Sequence, residues 1–218
     1  MSISNNDSIE FNLENPLFVS NPAYPTNTPY FFPNLPGAEK EIDDALPYAR
    51  IKYTLLKGKN AVKEAVLKHM NGCDLAYFAT HGIADTVEPM QKSFLVLSGE
   101  EPFLTAKEIQ DLRLIDNYQS PSMVILSACQ TGLGKSMEAG VASLARSFIL
   151  SGSYFVIESL WNVDDNATAF LMNRFIFHMQ QKTAFFPAGT LRLAILDTKQ
   201  EFPDPSHWAS FTAFGTNF

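Results

Sequence analysis

Short apolar blocks alternate along this chain with stretches whose apolar side chains recur every three or four positions. The blocks at 75–79, 123–126 and 154–160 read as buried strands. Residues 51–56 alternate apolar and polar, 94–99 form a short strand ending in a turn, and 208–214 form a last strand. Between them lie helical patterns. Pro36-Gly37 opens an acidic helix over 38–48, and Asn60 is placed to cap a helix with Val62, Ala65, Val66 and Met70 on one face. Thr105-Ala106-Lys107-Glu108 is a capping box, which predicts a helix starting at Thr105. Val141, Ala142, Ala145, Phe148 and Ile149 mark another helix. Two more run from Asp164-Asp165 to about 181 and over 188–199. Strands alternating with helices predict an α/β fold: a mostly parallel sheet with helices on both faces.

The first 36 residues differ. They are rich in Asn, Pro and Ser, and only Pro16-Leu17-Phe18-Val19-Ser20 suggests a strand. Asn21-Pro22-Ala23-Tyr24-Pro25 is turn-forming, and Tyr30-Phe31-Phe32 is apolar enough to fold over the domain or lie on a partner. Residues 1–36 are therefore read as an arm and 37–218 as the main domain. No internal repeat or low-complexity tract interrupts either.

Composition narrows the function. With 218 residues and 46% hydrophobic content, the chain has enough material for one large core. A net charge of -7, with Lys and Arg scattered, argues against nucleic-acid binding. No apolar run reaches membrane-spanning length, and the first residues lack the basic and apolar regions of a signal peptide. Two cysteines, Cys73 and Cys129, fit a reducing cytoplasm. Cys73 reads as a small buried hydrophobe.

The chemistry concentrates in Thr80-His81-Gly82 and Ser127-Ala128-Cys129-Gln130-Thr131-Gly132. Each string follows a buried strand, so His81 and Cys129 sit at strand carboxyl ends, where parallel α/β sheets bind ligands. Cys129 lies between a strand and a polar, glycine-containing turn, which suits the access a thiol nucleophile needs, with a strand-end core cysteine as the alternative. His81 is placed as its base. Gly82 permits close backbone approach, and its N–H, with that of Cys129, is a candidate oxyanion hole. His69, His178 and His207 lack metal-ligand spacing, and no metal or cofactor is expected. Gly132-Leu133-Gly134-Lys135-Ser136 is no phosphate loop, because the first glycine it needs is replaced by Cys129.

Caspases carry Gln-Ala-Cys-X-Gly with a His about 50 residues upstream. Here the sequence is Ser-Ala-Cys-Gln-Thr-Gly, with the His 48 positions upstream (81 to 129). Ser127 in place of the Gln removes the reason to expect cleavage after aspartate. Further motifs follow in order: Leu35-Pro36-Gly37-Ala38-Glu39-Lys40-Glu41-Ile42, Asn60-Ala61-Val62-Lys63-Glu64, Phe78-Ala79-Thr80-His81-Gly82, Ser159-Leu160-Trp161-Asn162-Val163-Asp164-Asp165 and Trp208-Ala209-Ser210-Phe211. As an ordered set over about 16–214 they resemble the CHAT family of caspase-like peptidases, which is often fused to TPR repeats. The resemblance implies a caspase-like three-layer α/β/α fold, a His81–Cys129 dyad and cysteine endopeptidase activity. It also implies a protein or peptide substrate and a regulatory TPR or sensor protein.

The chain departs from the family in lacking TPR repeats and in having only a short polar stretch before residue 16. It therefore looks like the catalytic half alone, which motivates a rival reading as a catalytically silent, protein-binding scaffold. A small-molecule acyltransferase or hydrolase using the same thiol is a third reading, without a cofactor pocket to favour it. The resemblance implies that Ser127 and the stretch from Trp161 to Asp165 line the substrate pocket. Ser127 leaves room there. Asp164, Asp165 and Glu158 favour a basic residue before the scissile bond, while one of the two aspartates caps the following helix. Trp161 is read as a platform for the substrate.

Overall fold

The computed structural model describes residues 13–48, 52–85, 87–127, 138–161, 163–181 and 186–215, with side chains in the helix over 138–151 described from residue 144 onward. The strands are β1 (Leu17–Pro22), β2 (Thr54–Gly58), β3 (Leu75–Ala79), β4 (Gly82–Ile83), β5 (Phe94–Val96), β6 (Phe103–Thr105), β7 (Met123–Ser127), β8 (Phe155–Ser159) and β9 (Phe211–Gly215). The helices are α1 (Pro36–Ala45), α2 (Lys63–Met70), α3 (Pro89–Lys92), α4 (Ala106–Asp111), α5 (Glu138–Ser151), α6 (Asp165–Gln180) and α7 (Pro187–Glu201).

Six strands form the central sheet in the order β2-β1-β3-β7-β8-β9. The pairings from β2 through β8 are parallel, and β9 closes one edge antiparallel to β8. Side-chain alternation divides the sheet between two cores. Leu75, Tyr77, Met123, Ile125, Phe155 and Ile157 face the layer that holds α1, α6 and α7. Ala76, Phe78, Val124, Leu126 and Val156 face the layer that holds α2, α4 and α5. Both faces are covered, so β3 and β7 are buried at every position, as their unbroken apolar runs require.

The arm is partly built into this sheet. β1 lies between β2 and β3 with all six residues buried. Residues 23–35 then run without regular secondary structure to a second, three-stranded antiparallel sheet, β4-β5-β6. Tyr24, Tyr30 and Phe32 pack there with Phe94, Val96 and Phe103. Of this sheet the local pattern announced only β5, within the strand expected at 94–99; β4 and β6 are two and three residues long and leave no periodic signal.

Several boundaries move for physical reasons. Asn60 does not cap α2. Its N–H and that of Ala61 bond to the Lys57 and Gly58 carbonyls in a turn, and Val62, held extended by a bridge to Ser98, takes the cap position. The strand expected over 51–56 runs from Thr54 to Gly58, and Ile51 lies outside the described residues. α1 begins at Pro36 and ends in a 3₁₀ turn, Leu46–Tyr48. The last strand starts only at Phe211, because a 3₁₀ turn over Pro205–His207, capped by Asp204, redirects the chain first. The capping box forms as expected: Thr105 Oγ1 accepts from the Glu108 N–H at 3.2 Å, and the Glu108 carboxylate accepts from the Thr105 N–H at 2.8 Å.

Candidate active site

β3 ends at Ala79, and two hydrogen bonds hold the next two residues against β5. Thr80 Oγ1 donates to the Val96 carbonyl at 2.6 Å, and the Val96 N–H donates to the His81 carbonyl at 2.8 Å. His81 is thereby drawn under the arm and is 1% exposed. Its ring lies 4.6 Å from that of Tyr24 and 5.5 Å from that of Phe32. His81 Nε2 is 2.7 Å from the Pro33 carbonyl oxygen. A carbonyl only accepts, so Nε2 carries the hydrogen and Nδ1 the lone pair. His81 Nδ1 has no hydrogen-bond partner among the described residues. Burial pushes the imidazole below its ordinary pKa, partly offset by the Pro33 carbonyl, which steadies the charged form. At neutral pH the ring is a neutral base with one nitrogen anchored.

Gly82 faces Leu95 in the β4–β5 ladder. The bond in this part of the register joins Val96 to His81, which leaves the Gly82 N–H outside the ladder.

β7 runs beside β3, and the register pairs Ala79 with Ser127. His81 and Cys129 therefore each lie two positions past paired residues. Cys129 is outside the described residues. Ser127 shares the sheet face of Met123 and Ile125, and there its Oγ donates to Glu41 Oε2 at 3.0 Å. Tyr77 Oη donates to the other Glu41 oxygen. Burial pushes the Glu41 carboxyl up to about 7, against the pull of the Tyr77 and Ser127 hydroxyls, with the Asp165 charge adding to the rise. Neither Glu41 nor Pro33 was among the expected site residues. Pro33 acts through its backbone and carries no sequence signal. Glu41 did carry one: a carboxylate inside the apolar stripe of Ala38, Ile42 and Ala45.

The four remaining pocket candidates separate. Asp164 is the N-cap of α6, its Oδ1 accepting from the N–H groups of Asn166 and Ala167 at 3.0 and 3.1 Å. Asp165 begins the helix, is exposed, and lies close enough for its charge to act on Glu41. Glu158 is 2% exposed and neither oxygen has a hydrogen-bond partner among the described residues. Burial pushes its carboxyl up to about 9. Its place in β8 beside Val156 and out of phase with Ile157 puts it on the sheet face opposite Ser127. Trp161 is 38% exposed, with its indole N–H donating to the Ser206 carbonyl at 3.3 Å. Among the described residues no cluster suited to a metal ion occurs, and no helix is long and apolar enough to cross a membrane.

A family model described as CHAT domain matches residues 2–216. Tetratricopeptide repeat protein 28 of Mus musculus is 28% identical over 117 residues, which is 54% of this chain and 5% of that protein. Among solved structures, the Arg-specific cysteine proteinase gingipain R of Porphyromonas gingivalis superposes with a TM-score of 0.58 at 11% identity, covering 95% of this chain and 47% of that one. The Drosophila initiator caspase Dronc superposes with a TM-score of 0.50 at 14% identity, covering 96% and 81%. The chain thus spans 5% of the length of the curated relative and under half of the gingipain. At these identities the structural likenesses are of fold: a caspase-like α/β/α sandwich around a mostly parallel sheet.

Proposed function

The chain belongs to the CHAT domain family, and on that premise we propose that it is a cysteine endopeptidase whose catalytic dyad is His81 and Cys129. The family and the fold are those of caspase-like peptidases. The observation that carries the proposal is the state of His81: neutral, tied through Nε2–H to the Pro33 carbonyl, with Nδ1 unpartnered among the described residues.

In this reading His81 Nδ1 takes the Cys129 proton, and the thiolate attacks the scissile carbonyl. The N–H groups of Gly82 and Cys129 hold the oxyanion. His81 then returns the proton to the leaving amine and afterwards activates the water that hydrolyses the thioester. Ser127 gives the pocket room for a long side chain. Asp165, exposed at the start of α6, is the carboxylate best placed to favour a basic residue before the cleaved bond. The Arg specificity of the gingipain supports the same preference. Glu158 is held neutral on the other sheet face and drops out of this role, while Trp161 is the platform for the substrate backbone. A thiol nucleophile suits a reducing, cytoplasmic setting.

The test uses the purified chain, an electrophilic peptide probe and reporters with Arg or Lys before the scissile bond. Cys129→Ala is expected to abolish both labelling and cleavage. His81→Ala is expected to slow them about 10²- to 10⁴-fold, the usual worth of a positioned acid–base group. Full cleavage by Cys129→Ala ends the proposal. The curated TPR relative favours a second reading, a protein-binding module with a silent site that engages a TPR or sensor partner. Tight partner binding without any labelling of Cys129 selects that reading.

A further inference from the structure

One buried group is unused by the chemistry above and yet touches it. Glu41 projects from α1 and is fully enclosed, which is costly for a carboxyl group. It is held at both oxygens by hydroxyls from two adjacent sheet strands: Tyr77 of β3 and Ser127 of β7. β3 is the strand that ends before His81, and β7 is the strand that ends before Cys129. Glu41 thus joins the two strands behind the dyad from outside the sheet.

We propose that Glu41 is a positioning residue for the thiol site, clamping the carboxyl end of β7 through Ser127 and β3 through Tyr77, so that the strand ends that precede His81 and Cys129 in the chain are held to each other. The proposal rests on the reading of Cys129 as the nucleophile. Catalytic groups need to be held to a fraction of an ångström, and a two-point polar clamp does this better than an apolar contact that permits sliding. The packing around α1 fits the role. Its apolar stripe of Ala38, Ile42 and Ala45 lies in the core, and the backbone at Gly37 abuts the Asp165 side chain, so the helix that carries Glu41 is itself confined.

The groups facing Glu41 among the described residues are the Tyr77 hydroxyl from β3, the Ser127 hydroxyl from β7 and the Asp165 carboxylate from α6. On α1 itself, Glu39 turns to Lys57 and Asn21, and Lys40 pairs with Asp44 at the surface. Ionised, Glu41 accepts from both hydroxyls. Protonated, it donates to one and accepts from the other. Either form keeps the clamp, but only the ionised form sets a negative charge beside Ser127, two positions before Cys129 in the chain, and a like charge disfavours a thiolate.

The experiment compares wild type with Glu41→Gln, Glu41→Leu and Ser127→Ala, each checked for folding by circular dichroism and a thermal melt. Two quantities are read from pH 5.5 to 8.5: the rate of Cys129 alkylation by iodoacetamide, resolved from Cys73 by mass spectrometry, and kcat and KM for an Arg reporter. Glu41→Leu is expected to lower kcat at least about tenfold with KM little changed, since positioning is lost but substrate contacts are not. Gln imitates the protonated carboxyl, so Glu41→Gln is expected to recover most of the lost kcat. Its alkylation rate is expected to diverge from wild type above a midpoint near the Glu41 pKa of about 7. Ser127→Ala, which removes one hydroxyl and leaves the helix face of α1 intact, is the second variant should Glu41→Leu fail to fold, and is expected to lower kcat in the same sense.

A folded Glu41→Leu with wild-type kcat and alkylation profile overturns the proposal. So does a rise in KM at constant kcat, which makes Glu41 a substrate contact instead. Cleavage that survives in Cys129→Ala would defeat the functional reading, whereas a Glu41-dependent alkylation profile without any cleavage would leave the clamp standing and only the peptidase reading lost.

Discussion

At the residue scale, the decisive state is that of His81. Tyr24 and Phe32 exclude water from its ring, and lost solvation disfavours the charged form. Opening this cover with Tyr24→Ala or Phe32→Ala is expected to raise the His81 pKa toward the ordinary value of about 6.5. A higher pKa means more imidazolium at a given acidic pH, so the acid limb of the activity profile moves to higher pH. Imidazole nitrogen shifts in NMR follow both the pKa and the tautomer. They are expected to show hydrogen on Nε2 at pH 7. Hydrogen on Nδ1 instead would remove the lone pair from the face assigned to the thiol. The sign for stability is the opposite of a paired histidine's: a depressed pKa costs nothing above about pH 6.5 and destabilises the fold as pH falls below it.

At the element scale, α1 and α6 meet where Gly37 abuts the Asp165 side chain. The Asp164 carboxylate is committed to two backbone N–H groups at the start of α6. Asp164→Ala is therefore expected to cost about 1 kcal/mol of stability, the usual worth of an N-cap, with no rise in KM for an Arg reporter. Asp165→Ala is expected to do the reverse and raise KM while leaving the cap intact. Chemical denaturation and steady-state kinetics separate the two. Where α1 crosses α6, a Cβ added at Gly37 would lie 2.4 Å from Asp165 Oδ2 and 2.6 Å from its Cβ. Gly37→Ala thus forces the helices apart, and a loss of about 1–3 kcal/mol is expected from such overpacking.

At the scale of the whole molecule, two buried carboxyls shape stability against pH. Glu158 rises from an ordinary 4.5 to about 9, and Glu41 from 4.5 to about 7. A carboxyl raised by folding binds its proton more tightly in the native state. The stability it permits is complete below about pH 4.5 and is lost as pH rises through the folded value, at about 1.4 kcal/mol per pH unit and group. The fold is expected to weaken from pH 5 to pH 9, most steeply below pH 7 where both groups act. Glu158→Gln removes the larger share. Its melting temperature is expected to exceed that of wild type by a margin that widens up to about pH 9, and a constant margin would mean that Glu158 is ionised in the native state.

Much of this was legible in the chain before any folding. Apolar runs and helical spacing are local, so they fixed the order of β3, β7, β8 and the helices between them, and they set His81 and Cys129 past the ends of two strands. The capping box at Thr105 is equally local. Partners distant in sequence were not legible. Pro33 meets His81 across 48 positions, Tyr77 meets Glu41 across 36, and Ser127 meets Glu41 across 86. Nor did the residues alone sort the three acidic candidates by role. Alternation along β8 turned Glu158 to the face opposite Ser127, the helix start consumed Asp164, and Asp165 was left exposed. By itself the sequence determined which apolar runs become strands and that the His81 and Cys129 strings each follow one, because hydrophobic patterning acts over a few residues. Only the tertiary structure decided the tautomer of His81, the neutrality of Glu158 and the clamp at Glu41, because each depends on water excluded by elements that meet only when the chain is folded.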